Sequence, residues 1–251
     1  MNNKTSFNVR RMTVIGVLGA ISIVLGMTPL GFIPVGPTRA TIMHIPVIIG
    51  AIMEGPIVGG IIGLIFGGFS IFQAVTNPTP VSIVFYNPIV SILPRVLMGL
   101  TTYYAYIGIK KIGNRNTILL LDLLWGSIIV YLSYGIYKNI ISSYEFWIVM
   151  MNVMLIIIAL ILIYFTTTKV NSSYLDIIIS TIVGTLTNTI GVLGTIYLFH
   201  GKKFVTALGM EQDTAGKVIL GIGLTNGIPE IIIAIIIVVS VMSALRLKET
   251  K

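Results

Sequence analysis

The sequence predicts an all-α integral membrane protein: a compact bundle of six core transmembrane helices plus an extra hairpin, eight apolar segments in all, with both termini cytoplasmic. Three observations carry that expectation. The chain is 55% hydrophobic and 10% charged, whereas soluble domains carry about 25% charged residues. Apolar runs recur along its whole length, separated by short basic or Pro/Gly-rich loops. The lysines and arginines fall mostly on one side of those runs, as the positive-inside rule requires. The formal net charge of +8 is therefore a sign of topology, and nucleic acid is not an expected partner. With no cysteine, a disulfide framework and thiolate chemistry are excluded.

Lys4, Arg10 and Arg11 precede the first apolar run, Met12 to Met27, and hold the N-terminus in the cytoplasm. No small-residue cleavage site follows before Pro29, so the run is expected to stay as a span. Gly16 and Ala20, with Gly19 beside them, form a small-residue face suited to close helix packing, within this chain or on a partner. Next comes an outer loop broken by Pro34, Gly36 and Pro37, on which Thr38, Arg39, Thr41 and His44 dip toward the bilayer. Irregular backbone at that depth is tolerated only where protein buries it or water reaches it, as in the lining of a binding site. Ile42 to Met53 is apolar but twelve residues long, so a helix there covers ~18 Å of a core about 30 Å thick.

Glu54-Gly55-Pro56 must turn the chain, because Pro56 has no amide donor and disfavours helix at the residue before it. The third segment runs from Pro56 to about Val75, with Gly59, Gly63 and Gly67 four residues apart and Gly60 and Gly68 adjacent. Ordinary close packing of helices accounts for that stripe. Asn77-Pro78-Thr79-Pro80 reads as an outer turn, Phe85 and Tyr86 suit a membrane interface, and Asn87-Pro88 opens a fourth span to Ile109. Lys110, Lys111 and Arg115 mark its cytoplasmic end. Ile118 to Tyr137 and Phe146 to Phe165 form the extra hairpin, an insertion over 118–168 in a single membrane domain of residues 1–251. A cytoplasmic turn at Lys169 leads to a span from Tyr174 to Phe199. An outer loop from His200 to Gly216 precedes the last span, which ends at Leu245.

Charges inside apolar spans cost about 2.5–3.5 kcal/mol each on insertion scales and need a partner or a task. Arg95 and Glu230, each directly after a proline, are the two best placed for such a task; Asp122 lies in a separate span, facing its own hairpin partner, and has no assigned role. Either they neutralise each other, or Arg95 offers its guanidinium fork to a ligand carboxylate or phosphate. Asn188 and Asn226 on the last two spans supply amide groups to a ligand or to a neighbouring helix. His44 is a ligand contact or a satisfied loop histidine, and Arg39 attracts an anion or is a solvated loop charge. Asn77, Tyr86 and Asn87, at the outer ends of the third and fourth segments, complete the candidate ligand set.

No catalytic or metal-ligating residues are expected. HExxH, GxSxG and GxxxxGK[ST] are all absent, and His44 and His200 have no clustered carboxylates in the sequence. A membrane phosphatase or protease using Arg95 and Glu230 would need a second carboxylate or a nucleophile, and none is evident. A ligand-free scaffold is a third reading. Uphill transport driven by ATP would need a separate ATPase subunit.

The loop PLGFIPVGPTRATIMHIP, the Glu54-Gly55-Pro56 turn with its glycine stripe, Pro94-Arg95, Leu186-Thr187-Asn188-Thr189 and Thr225-Asn226-Gly227 together resemble the substrate-binding S components of energy-coupling factor (ECF) vitamin transporters. These motifs cover the first 110 residues and roughly the last 75. The resemblance implies a bacterial plasma-membrane protein, not an enzyme and without a cofactor, that captures a small water-soluble vitamin from outside. It implies a transmembrane T component and two cytoplasmic ATPases as partners, with docking through first-span small residues that match Gly16 and Ala20. It places the ligand under the first long loop, at Thr38 to His44. The loop looks most like pantothenate-type members, and Arg39, His44 and Arg95 favour an anionic vitamin; riboflavin, folate and a queuosine precursor stay open. S components usually have six spans, so the extra hairpin is a departure. An even number of added spans preserves the orientation of all that follows.

Overall fold

A computed structural model describes residues 8–35, 38–142, 146–168 and 174–249. The backbone forms two compact units by internal contacts, Met1–Ile107 with Ile177–Lys251, and Gly108–Asp176. The described chain is helical apart from one two-stranded ribbon. By length and composition, four helices are able to cross a membrane: Val9–Met27, Pro56–Thr76, Leu175–Ala207 and the helix within Gln212–Leu245.

In the first unit, α1 (Val9–Met27) leads through a 3-10 turn at Pro29–Gly31 into an antiparallel ribbon, β1 (Phe32–Val35) and β2 (Thr38–Thr41). Its register pairs Phe32 with Thr41 and Val35 with Thr38. An irregular loop was expected here. Instead the β-branched Ile33, Val35, Thr38 and Thr41 favour extended backbone, and pairing satisfies main-chain groups that a loose loop would leave open. The ribbon leads directly into α2 (Ile45–Glu54), in which every residue from Ile45 to Ile52 is buried. So short a helix serves as a core element, packed against α1, against α3 (Pro56–Thr76) and against α9 (Ala215–Glu249).

The Glu54-Gly55-Pro56 turn stands where the sequence puts it. Gly55 has φ 100°, a conformation that favours glycine, and Pro56 opens α3. Arg10 and Arg11, at the start of α1, lie 2.7 and 3.7 Å from the two carboxylate oxygens of Glu54 and tie this end of the bundle. α3 meets α5 (Leu93–Ile112) on its glycine stripe. Gly59 lies against Gly99, and Gly63 against the Arg95 backbone.

The fourth span is not continuous. A short α4 (Pro88–Ser91) is followed by a turn at Ile92, and Pro94 lies in the first turn of α5, where a missing amide donor costs nothing. Arg95 therefore lies in the first turn of α5. α8 (Leu175–Ala207) also differs from expectation, since it continues through His200, Lys202 and Lys203 to Ala207. Nothing in GKKFVTA breaks a helix, and the chain turns only at Gly209, with φ 75°. α9 then runs through Pro229 to Glu249.

In the second unit, α6 (Asn114–Ser142) and α7 (Phe146–Thr168) pack against each other as a helical hairpin. Gly135 of α6 faces Asn152 of α7, with room for only a small side chain between them.

Candidate functional site

Side chains of four helices and the end of the ribbon converge in the first unit. α5 and α8 run side by side in opposite directions. Pro94 touches Gly191, Thr102 touches Gly184, and the Thr101 hydroxyl donates to the Thr187 hydroxyl at 3.0 Å. This register puts Arg95 and Asn188 within about one helical turn of each other along the two helices. On α9, Glu230 reaches the same region through Thr189. Arg95, Asn188 and Glu230 are 6%, 4% and 5% exposed, so each polar group must be accounted for.

Arg95 is held from several sides. One terminal nitrogen donates to the carbonyl of Val90, and the guanidinium carbon lies 5.3 Å from the centre of the Phe66 ring and 5.9 Å from that of Phe85. Those are cation–π distances, which help to hold a cation out of water. Its Nε, also buried, has no acceptor among the described residues. Asn188 is the complementary case, a buried Oδ1 with no donor among the described residues. Glu230 is different. Its Oε1 accepts the Thr41 amide at 2.7 Å and its Oε2 the Thr189 hydroxyl at 3.0 Å.

Arg95 and Glu230 were candidates for mutual neutralisation. Among the described residues no ion pair joins them; they interact only through space, while each makes its hydrogen bonds elsewhere. His44 is fully buried at the start of α2, with Nε2 3.2 Å from the Thr185 hydroxyl.

The remaining candidates spread out. Thr38 and Arg39 belong to β2, and their side chains lie outside the described residues. Asn77 ends α3 and is exposed, and Tyr86 is largely exposed. Asn87 accepts the Ile89 amide at 3.0 Å as the cap of α4, which commits its side-chain oxygen to the fold. Asn226 is half-buried on α9, one turn before Glu230. On α1, Gly16 and Ala20 are exposed, and a Cβ at Gly16 would meet nothing within 4 Å. Gly19 faces inward, where a Cβ would lie 2.9 Å from Ile65 of α3.

Sequence reasoning passed over Thr185, the Thr41 amide, and Phe66 as a neighbour of Arg95. One signal was present. Thr181, Thr185 and Asn188 recur at helical spacing in an apolar span and are all buried, a polar stripe turned inward. The role of the Thr41 amide left no trace, because every residue but proline carries that donor.

The description "ECF transporter, substrate-specific component" fits this chain over residues 10–136 and 116–242. The chain belongs to that family. A pantothenic acid transporter of Lactococcus lactis subsp. cremoris is 32% identical over 94 residues, covering 32% of this chain and 46% of the relative. A pantothenate transporter of Leuconostoc mesenteroides subsp. mesenteroides is 33% identical over 118 residues, covering 46% of this chain and 56% of the relative. The matched stretch thus spans about half the length of each curated relative. That family is one of substrate-specific transport components and not of enzymes.

Proposed function

We propose that this chain is the substrate-capture subunit of an ECF importer for a small anionic vitamin, with pantothenate the first candidate. The observation that carries the reading is two of the unmatched buried groups among the described residues, those of Arg95 and Asn188. Among the described residues Arg95 Nε lacks an acceptor and Asn188 Oδ1 lacks a donor, within about one helical turn of each other along α5 and α8. Leaving a buried polar atom unpaired costs about 1–3 kcal/mol. A ligand with a carboxylate for Arg95 and a hydroxyl or amide N–H for Asn188 would relieve both. Pantothenate carries all three groups, and the two relatives are named for it. His44, Asn226 and the loop residues Thr38 and Arg39 would shape the rest of the site.

On this reading the protein is a multi-pass component of a bacterial plasma membrane, with a six-span core, cytoplasmic termini and one membrane domain carrying the 118–168 hairpin as an insertion. The basic termini and the separate Gly108–Asp176 unit support that arrangement. It would deliver its cargo with a T component and two cytoplasmic ATPases. The exposed face of α1 at Gly16 and Ala20 is the docking surface for the T component.

The test is equilibrium binding of labelled pantothenate, then riboflavin, folate and a queuosine precursor, to the purified chain alone in detergent. Stoichiometric binding of pantothenate without ATP is the expected result. Binding of another vitamin would replace the cargo and keep the role. Folded protein that binds none of them would refute the assignment.

A further inference from the structure

The chain leaves the ribbon at Thr41, and the next residues are held from three helices. Glu230 of α9 accepts the Thr41 amide at 2.7 Å. Ser22 of α1 donates to the Met43 carbonyl at 2.6 Å, and Thr185 of α8 lies 3.2 Å from His44 Nε2. The Ile42 amide donates to the Gly31 carbonyl at 3.1 Å, which closes the base of the ribbon. Of these anchors only Glu230 is charged, and it alone joins the ribbon, α8 and α9 through one side chain.

We propose that Glu230 is a positioning residue: its carboxylate clamps the end of the β1–β2 ribbon to α8 and α9, and it does not touch the ligand. Where the ligand lies rests on the site described above, but the clamp is a property of the protein alone. Each oxygen of Glu230 already has a donor from this chain, whereas among the described residues Arg95 and Asn188 each keep a buried atom without a partner. A carboxylate presented to an anionic ligand would also repel it. Turned to the Thr41 amide, the same charge makes a short charge-assisted bond to a strand-end donor that faces away from the ribbon partner. A ribbon that covers a site needs one fixed end, and the clamp supplies it.

The substitutions Glu230→Ala and Glu230→Gln separate clamping from ligand contact. An alanine removes both acceptors. A glutamine keeps a carbonyl oxygen for the Thr41 amide and offers an amide donor to the Thr189 oxygen. In the ligand-free protein in detergent, amide hydrogen exchange at Thr41 is expected to be at least about tenfold faster in Glu230→Ala, the equivalent of one lost hydrogen bond. In Glu230→Gln it should stay within about threefold of the parent, and amides of α3 should not change in either variant. Unchanged exchange at Thr41 in folded Glu230→Ala overturns the proposal. If Glu230→Ala does not fold, Thr189→Val decides. Exchange at Thr41 at least about threefold faster supports the clamp, and no change overturns it. Labelled pantothenate gives the second readout. Binding to Glu230→Gln within about threefold of the parent supports a positioning role, and a loss beyond about tenfold with Thr41 exchange unchanged assigns Glu230 to the ligand. If the parent protein binds no pantothenate, the proposed function fails while the exchange experiment still tests the clamp.

Discussion

Replacing Gly63 by alanine tests how α3 sets the position of Arg95. The nearest atom to an added Cβ is the carbonyl oxygen of Arg95, followed by its carbonyl carbon at 2.7 Å and the Val96 nitrogen at 3.1 Å. Carbon atoms pack comfortably at about 3.5 Å, so α3 and α5 must separate by about 0.8 Å or tilt by an equivalent amount. These are backbone atoms in the first turn of a helix and cannot rotate aside as a side chain would. Overpacking of this kind costs about 1–3 kcal/mol. In a chain of this size that corresponds to a Tm lower by about 2–12 °C. Gly68 is the internal control: it lies on the same helix, is exposed, and a Cβ there meets nothing within 4 Å. Gly68→Ala removes the entropic cost of a helical glycine, about 0.5–1 kcal/mol, and is expected to hold or raise the Tm. Thermal unfolding of both variants in one detergent makes the comparison. Because the clash is with Arg95 itself, pantothenate affinity should also fall in Gly63→Ala, by about tenfold, and stay unchanged in Gly68→Ala. If Gly63→Ala melts at or above Gly68→Ala, the close α3–α5 approach does not govern stability, and the reasoning fails.

Three further substitutions probe the site and the docking face. Arg95→Gln should lower pantothenate affinity by about 30-fold or more while the protein stays monodisperse on gel filtration, since a buried charge contact is worth about 2–5 kcal/mol; affinity within threefold of the parent would count against a ligand carboxylate there. Asn188→Leu removes the unpartnered oxygen at similar volume, so binding should weaken about tenfold with the Tm level or higher. A lower Tm with intact binding would make Asn188 a packing residue. Gly16→Leu adds bulk to an open face of α1, so ligand binding should be unaffected and co-purification with the T component reduced. Undiminished co-purification would remove Gly16 from the docking surface.

Much of this protein was legible in its sequence, for definable reasons. Apolar run length and the distribution of basic residues announce a helical membrane protein, because a bilayer leaves the backbone few ways to satisfy its polar groups. The break at Glu54-Gly55-Pro56 was visible because two residues with restricted or unusual backbone freedom stand together, and Gly55 indeed has φ 100°. Arg95, Asn188 and Glu230 stood out because polar groups inside apolar spans are expensive, and all three are buried.

The tertiary structure decided how those groups are used. Arg95 and Glu230 share a region without forming an ion pair among the described residues: Glu230 bonds Thr41 and Thr189, while Arg95 bonds the Val90 carbonyl and stands at cation–π distance from Phe66 and Phe85. Gly59, Gly63 and Gly67 form a stripe in the sequence, but that Gly59 meets Gly99, Gly63 the Arg95 backbone and Gly67 the backbone of Ser91 and Ile92, while Gly68 beside them faces open space, is set by the rotation of α3 against its neighbours. Likewise Gly16 and Gly19 share one apolar run, but only Gly19 meets α3. The composition of a span reveals that it is buried in lipid or protein. Which neighbour each face meets, and which main-chain amide each carboxylate receives, depends on contacts between residues far apart in the chain, and no local pattern encodes them.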